Sequence, residues 1–238
     1  MNTYEVIVLL HVAFGAVALA TYWTAGLVKK GTPLHRRTGQ AYLLAMCGIL
    51  ATGLPMVAAA LRADKPNIAA FLAFLLLLVA QACWTAWRAI RDKRSPERFF
   101  GKVYWGLTGA CVLAGLAMVA LGLRIDQPIF AVFGGVGAAA GVGALRARRR
   151  SATDPKWWLK EHYGAMVGNG VATHIAFFGI GLRSLLPGVD PVLLQNFAWF
   201  APLAASLVAA AWLNRKYGRP VKAQTSPSSS QPSPLPRW

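Results

Sequence analysis

Acidic residues are scarce in this chain: 8 Asp and Glu stand against 25 Lys and Arg in 238 residues. None of the eight falls inside any of seven long apolar stretches, and no Lys or Arg does either. Membrane-embedded carboxylates, the usual couplers of proton and cation movement, are therefore missing. The last stretch has no Lys, so a retinal Schiff base has nowhere to form. Cysteine is also sparse. Cys47, Cys83 and Cys111 all lie in apolar stretches, are odd in number and have no CxxC spacing. They form no disulfide framework and read as small core residues. No P-loop, no HExxH and no Ser-His-Asp arrangement is found, so no catalytic set is assigned.

The apolar stretches are 6–28, 39–61, 66–87, 103–123, 127–145, 163–182 and 191–214, each 19 to 24 residues long. About 20 apolar residues cross a bilayer core of roughly 30 Å as a helix. Seven such stretches in a chain this short predict an all-α integral membrane bundle of seven transmembrane helices over residues 1–218. Residues 219–238, rich in Ser and Pro, read as a disordered cytoplasmic tail. The start carries no basic segment and no evident cleavage site, so 6–28 reads as a retained first helix.

The net charge of +17 raises the question of nucleic acid. Twenty-one of the 25 Lys and Arg fall in four segments, 29–37, 88–102, 146–160 and the region from 215 onward. The alternate segments hold only Arg62, Lys65, Arg124 and Arg183. This is a positive-inside pattern, which places the N-terminus outside and the C-terminus in the cytoplasm of a cell (inner) membrane. The charge reads as orientation plus attraction to anionic lipid on the cytoplasmic face, with no soluble domain to hold nucleic acid. Trp84, Trp87, Trp105, Trp157, Trp158, Trp212 and Tyr217 read mostly as anchors at that interface, with Tyr4 at the outer one. Asp64, Asp126 and Asp190, each just ahead of a Pro, read as caps opening the third, fifth and seventh helices. Gly137 and Gly141, and the stripe Gly164, Gly168, Ala172 and Ala176, read first as close-packing faces, and are also compatible with a flat prosthetic group.

Four histidines are the residues most suited to chemistry. His11 lies about 8 Å, and His174 about 12 Å, below the outer ends of their spans at 1.5 Å per residue. His35 and His162 sit at the cytoplasmic boundary. Two imidazoles at each of two depths match the needs of a bis-histidine, b-type haem protein, with Arg183 available to haem propionates. The helical period tempers this reading. His162 and His174 are separated by about 120° on their helix, so the outer and inner pairs stand separately. A second arrangement competes. His162, Met166, Asn169 and Thr173 share one face of the sixth span, and His35, Tyr42 and Met46 share one face of the second. If the faces meet, they form a seam entered from the cytoplasm that could hold a small molecule, protons or Cu(I). Interhelical hydrogen bonding with methionine as filler, in a structural or assembly factor, is the third reading.

The runs His11-Val-Ala-Phe-Gly15, Lys30-Gly31, His35-Arg-Arg-Thr-Gly-Gln-Ala-Tyr42 with Met46, and Trp158-Leu-Lys-Glu-His162-Tyr-Gly-Ala-Met166 resemble a family of multi-pass bacterial membrane proteins defined only as a domain of unknown function. The resemblance covers spans one, two and six, and the rest follows in outline. It implies a bacterial integral membrane protein without an established activity or redox partner. The family pattern emphasises His11, His35 and His162 and has an apolar residue near the position of His174. That weakens the outer pair and shifts weight toward His35 and His162.

Overall fold

A computed structural model describes residues 2–217, apart from the side chains of residues 180–185. The tail after residue 217 and the Arg183 side chain lie outside the described residues. Among those described there are eight helices and no strand: α1 Thr3–Leu27, α2 Pro33–Arg62, α3 Pro66–Arg91, the single turn α4 Pro96–Phe99, α5 Lys102–Arg124, α6 Pro128–Ser151, α7 Trp157–Leu185 and α8 Pro191–Tyr217. Six of them (α1, α2, α3, α5, α6 and α8) are long and apolar enough to cross a membrane. The seventh long helix, α7, spans 29 residues but carries Asn169, Thr173 and His174 among its apolar ones. The outward surfaces match a lipid solvent. Leu44, Leu113, Leu123 and Val208 are each more than 70% exposed, an amount of apolar surface that water does not tolerate.

Sequence neighbours pack against each other from α1 to α3 and from α5 to α6, and α3 also meets α5. The chain then breaks this order. α7 packs chiefly on α3 and α8 and also reaches α1. The ends of α1, α3 and α6 and the starts of α2, α5 and α7 gather at one face, called here the basic face. There Lys30 donates to the carbonyls of Ala25 (2.9 Å) and Gly26, closing the C-terminus of α1. Burial, helped by the ammonium of Lys216 at the end of α8, pulls Lys30 below the usual lysine range.

The aspartate–proline segments divide into two kinds. Asp190 caps α8, accepting from the Leu193 amide at 2.8 Å. Asp64 and Asp126 do not cap the helices that follow them, which start without a side-chain cap. Each has φ above +50°, and the next amide bonds back across the end of the preceding helix, Lys65 to Ala60 at 3.0 Å and Gln127 to Gly122 at 2.8 Å. These are Schellman closures with Asp in the left-handed position that normally selects Gly.

The small-residue faces also divide. α5 and α6 touch backbone to backbone. A Cβ on Gly115 would sit 2.6 Å from the Ala138 nitrogen and the Gly134 oxygen, and one on Gly137 2.8 Å from the Cys111 oxygen. Gly141 is looser, meeting only Val112 at 3.0 Å. The expected α7 stripe holds only at Ala172, which packs against a buried cluster: Gly164 and Gly168 face open space, and Ala176 is exposed. Gly170 takes their place, with the Tyr22 ring lying against its Cα. Two further expectations change. Trp157 is a core residue at 2% exposure, packed with Phe99, Phe100 and Tyr104 rather than anchored in headgroups. Cys47 is exposed, whereas Cys83 and Cys111 are buried.

Gly115→Ala should therefore lower the thermal midpoint of the detergent-solubilised protein, with an overpacking cost of about 1–3 kcal/mol. Gly168→Ala should leave it unchanged. Asp126→Gly should raise it, by up to about 1 kcal/mol of relieved left-handed strain.

Candidate functional site

Of the two histidine pairs that depth suggested, the outer one does not form. His11 is half-buried between α1 and α2, its Nδ1 2.8 Å from Thr52 Oγ1. The Thr52 hydroxyl donates to the Gly48 carbonyl at 2.7 Å, so it accepts the His11 Nδ1 proton. His174 is elsewhere. Its ring meets Tyr22 and Trp23 edge-on, at centroid distances of 5.4 and 5.6 Å. The indole of Trp23 donates to its Nε2 at 3.0 Å, and its Nδ1 donates to the Gly170 carbonyl at 2.7 Å. Both ring nitrogens are thus occupied. Trp23 lies twelve residues beyond His11 on α1, about 18 Å along the helix axis. One iron cannot reach both imidazoles, so the residues do not fit a haem bridging His11 and His174. The expectation of a shared depth fails because the middle of α7, at Gly170 and His174, lies against Tyr22 and Trp23 near the C-terminal end of α1.

The second constellation assembles. Tyr42, Met46 and Cys83 form one buried cluster with Ala18, Ala45 and Val79, against which Met166, Ala172 and Tyr22 pack. Tyr42, Met46 and Asn169 are each no more than 1% exposed. The Tyr42 hydroxyl lies 3.1 Å from Thr173 Oγ1. Thr173 donates to the Asn169 carbonyl at 3.1 Å and sits 3.7 Å from Met46 Sδ. Since the threonine proton is committed to its own helix, Tyr42 is the donor across the α2–α7 gap. The Cys83 thiol donates to Asn169 Oδ1 at 3.6 Å. The Asn169 amide nitrogen, buried beside them, has no partner among the described residues.

His35 and His162 stand where this seam reaches the basic face. His35 Nδ1 lies 3.0 Å from the Ala25 carbonyl and His162 Nδ1 3.1 Å from the Ala86 carbonyl. A carbonyl only accepts, so each Nδ1 carries a proton and donates it to the backbone. The two rings are close enough to influence each other electrostatically. Beside them Glu161, half-buried, pairs with Arg150 across α6 and α7.

Cys83 and Tyr22 belong to the site and were not singled out as functional from the sequence. The helical period aligns residues on one element, but Cys83 enters from α3 and Tyr22 from α1. The Arg150–Glu161 pair was not singled out either, although opposite charges at adjoining helix ends gave a signal for it. No group of three or more His, Cys, Asp or Glu side chains placed to hold a metal occurs among the described residues, so a carboxylate-rich site for a hard cation is not what the seam offers. Compared with protein-family models, curated proteins and solved structures, the chain finds no match.

An orphaned buried amide costs about 1–3 kcal/mol. Asn169→Leu, of similar volume, should therefore keep or raise the thermal midpoint. A fall of several degrees would instead identify the amide as a structural hydrogen-bonding hub.

Proposed function

We propose that this is a seven-span membrane protein of the bacterial inner membrane, N-terminus outside and C-terminus in the cytoplasm, whose α2–α3–α7 seam binds or passes a small ligand taken up at the cytoplasmic face. The positive-inside distribution supports the orientation: the basic segments flank the face where α1, α3 and α6 end. α7 then supplies the seventh span, its polar residues turned into the bundle rather than toward lipid. The observation that carries the binding reading is the Asn169 amide, fully buried, polar and unpartnered on one side. A purely structural contact would satisfy it or omit it, whereas an intramembrane polar group retained at a cost marks a site. His35 and His162, each held through Nδ1 by a backbone carbonyl at the same end, form the mouth. This reading is preferred to the haem reading, because the seam residues meet and His11 and His174 do not.

Two measurements test it. A reporter active only in the periplasm, fused after Trp238, should be silent. With Cys47 and Cys111 replaced by Ala, a small membrane-impermeant methanethiosulfonate should modify Cys83 in inside-out vesicles and not in right-side-out ones. Cys83 left unmodified from both sides would reduce the seam to an interhelical interlock.

A further inference from the structure

α2 and α3 leave a groove between them on the half of the bundle away from the basic face. We infer that this groove holds one acyl chain of an anionic phospholipid, whose phosphate is bound by Arg62 and Lys65. The inference is independent of the seam and places the lipid in the leaflet opposite the basic face.

The sequence builds the groove from small residues. Ala51, Leu54, Ala58 and Leu61 recur at helical spacing on α2, and Ala73 and Ala80 do so on α3. Gly53 lets the two helices meet at its Cα, where a Cβ would sit 2.6 Å from a Leu76 methyl carbon. Beside that contact lies a cavity of about 520 Å³, lined by alanine, leucine and valine. Its dimensions select the occupant. From Leu50 to Leu61 the wall is about 16 Å long at 1.5 Å per residue. That is close to the hydrocarbon depth of one leaflet, half of a core of roughly 30 Å. A helix about 10 Å wide would fill more than about 1,200 Å³ over that length. The groove therefore takes a single extended chain inside it and a helix only against its rim.

Charge marks which lipid. The mouth of the groove is the α2–α3 connection. Arg62 follows Leu61 directly, and the Lys65 amide bonds back to the Ala60 carbonyl at 3.0 Å, which holds both cations over the end of α2. Both are exposed. Among the described residues neither forms a side-chain hydrogen bond or ion pair, with Asp64 between them or with any other group. Two cations against one carboxylate leave the mouth positive. The segments at this end of the bundle hold only four of the 25 Lys and Arg, so the pair runs against the bias that orients the chain. The α5–α6 connection supplies an internal comparison. Arg124-Ile125-Asp126-Gln127-Pro128 repeats Arg62-Ala63-Asp64-Lys65-Pro66 with the same left-handed Asp. There the helices touch backbone to backbone, with a Cβ on Gly122 only 2.6 Å from the Ala131 nitrogen, and a chain has no room to enter. Gln127 stands there in place of Lys65. Arg62 and Arg124 both suit the negative C-terminal end of a helix dipole. Lys65 has no such role, and this second cation accompanies the groove.

The full-length protein, purified in mild detergent, should be titrated with phosphatidylglycerol and, separately, with phosphatidylcholine of the same chains, the bound lipid being counted by native mass spectrometry. One phosphatidylglycerol should bind, about tenfold or more tightly than phosphatidylcholine. Arg62→Gln combined with Lys65→Gln should abolish that preference. It should weaken phosphatidylglycerol by about 25-fold, since each cation near an anionic headgroup contributes a factor of about five. Ala73→Phe, which fills the groove from an exposed position, should remove the bound lipid, and Arg124→Gln should change nothing. If Ala73→Phe does not fold, Ala51→Phe blocks the groove from the other wall, also from an exposed position. Equal binding of the two lipids overturns the inference, and so does an affinity for phosphatidylglycerol unchanged in the cation variant or in a folded Phe variant. A concentration-dependent dimer that retains no lipid and is lost in the Phe variant overturns it too, and makes a second copy of the chain the occupant.

Discussion

Lipid offers a polar side chain no hydrogen-bond partner, and the arrangement of this bundle follows from where its most polar long helix can hide. That helix is α7. Asn169, Thr173 and His174 seek partners inside the protein, and α6, the helix that precedes α7 in sequence, is apolar and glycine-rich on its contact face. α7 therefore leaves its sequence neighbour and lies against α3, α8 and α1. There Cys83, Tyr42 and Trp23 meet Asn169 Oδ1, Thr173 Oγ1 and His174 Nε2, and the Asn169 amide nitrogen alone stays without a partner among the described residues. The order of packing is set by polar satisfaction, while the hydrophobic content of the helices only places them in the membrane.

The two sides of the bundle illustrate different ways of packing in a solvent that gives no hydrophobic drive between helices. α5 and α6 approach until backbone touches backbone, using Gly115, Gly122, Gly134 and Gly137 to gain dispersion contact. Nothing larger fits there. On the other side α2, α3 and α7 are held apart by Tyr42, Met46 and Met166, and the space between them is filled by flexible or polar groups. A pair joined by backbone contact thus stands beside a seam filled with polar and flexible side chains, at whose end His35 and His162 are held through Nδ1 by backbone carbonyls.

The polar seam could be foreseen in part because helical spacing is a local property. Residues 162, 166, 169 and 173 share a face on any α-helix, and so do 35, 42 and 46. Cys83 could not be foreseen, since one thiol in an apolar stretch looks the same whether it meets lipid, as Cys47 does, or an amide. The outer histidine pair was misjudged for a related reason. Depth was counted from the ends of apolar stretches, whereas the register of α7 against α1 is set by the Trp23–His174 and Tyr22–Gly170 contacts. The aspartates before proline show the same limit locally. Asp190 caps a helix, whereas Asp64 and Asp126 end one, and only the backbone φ separates the two.

The sequence by itself determined the class of the molecule, the number of long apolar segments, the uneven distribution of its charge and the membership of each helix face. These depend on composition and on the 3.6-residue period, both of which are properties of single segments. Only the tertiary structure decided that α7 adjoins α3 rather than chiefly α6, that His174 belongs with Trp23 and not with His11, and that Cys83 and Asn169 share a site. Those outcomes depend on the relative register and rotation of helices far apart in the chain, which are set by mutual hydrogen bonding and packing and by nothing local to either partner.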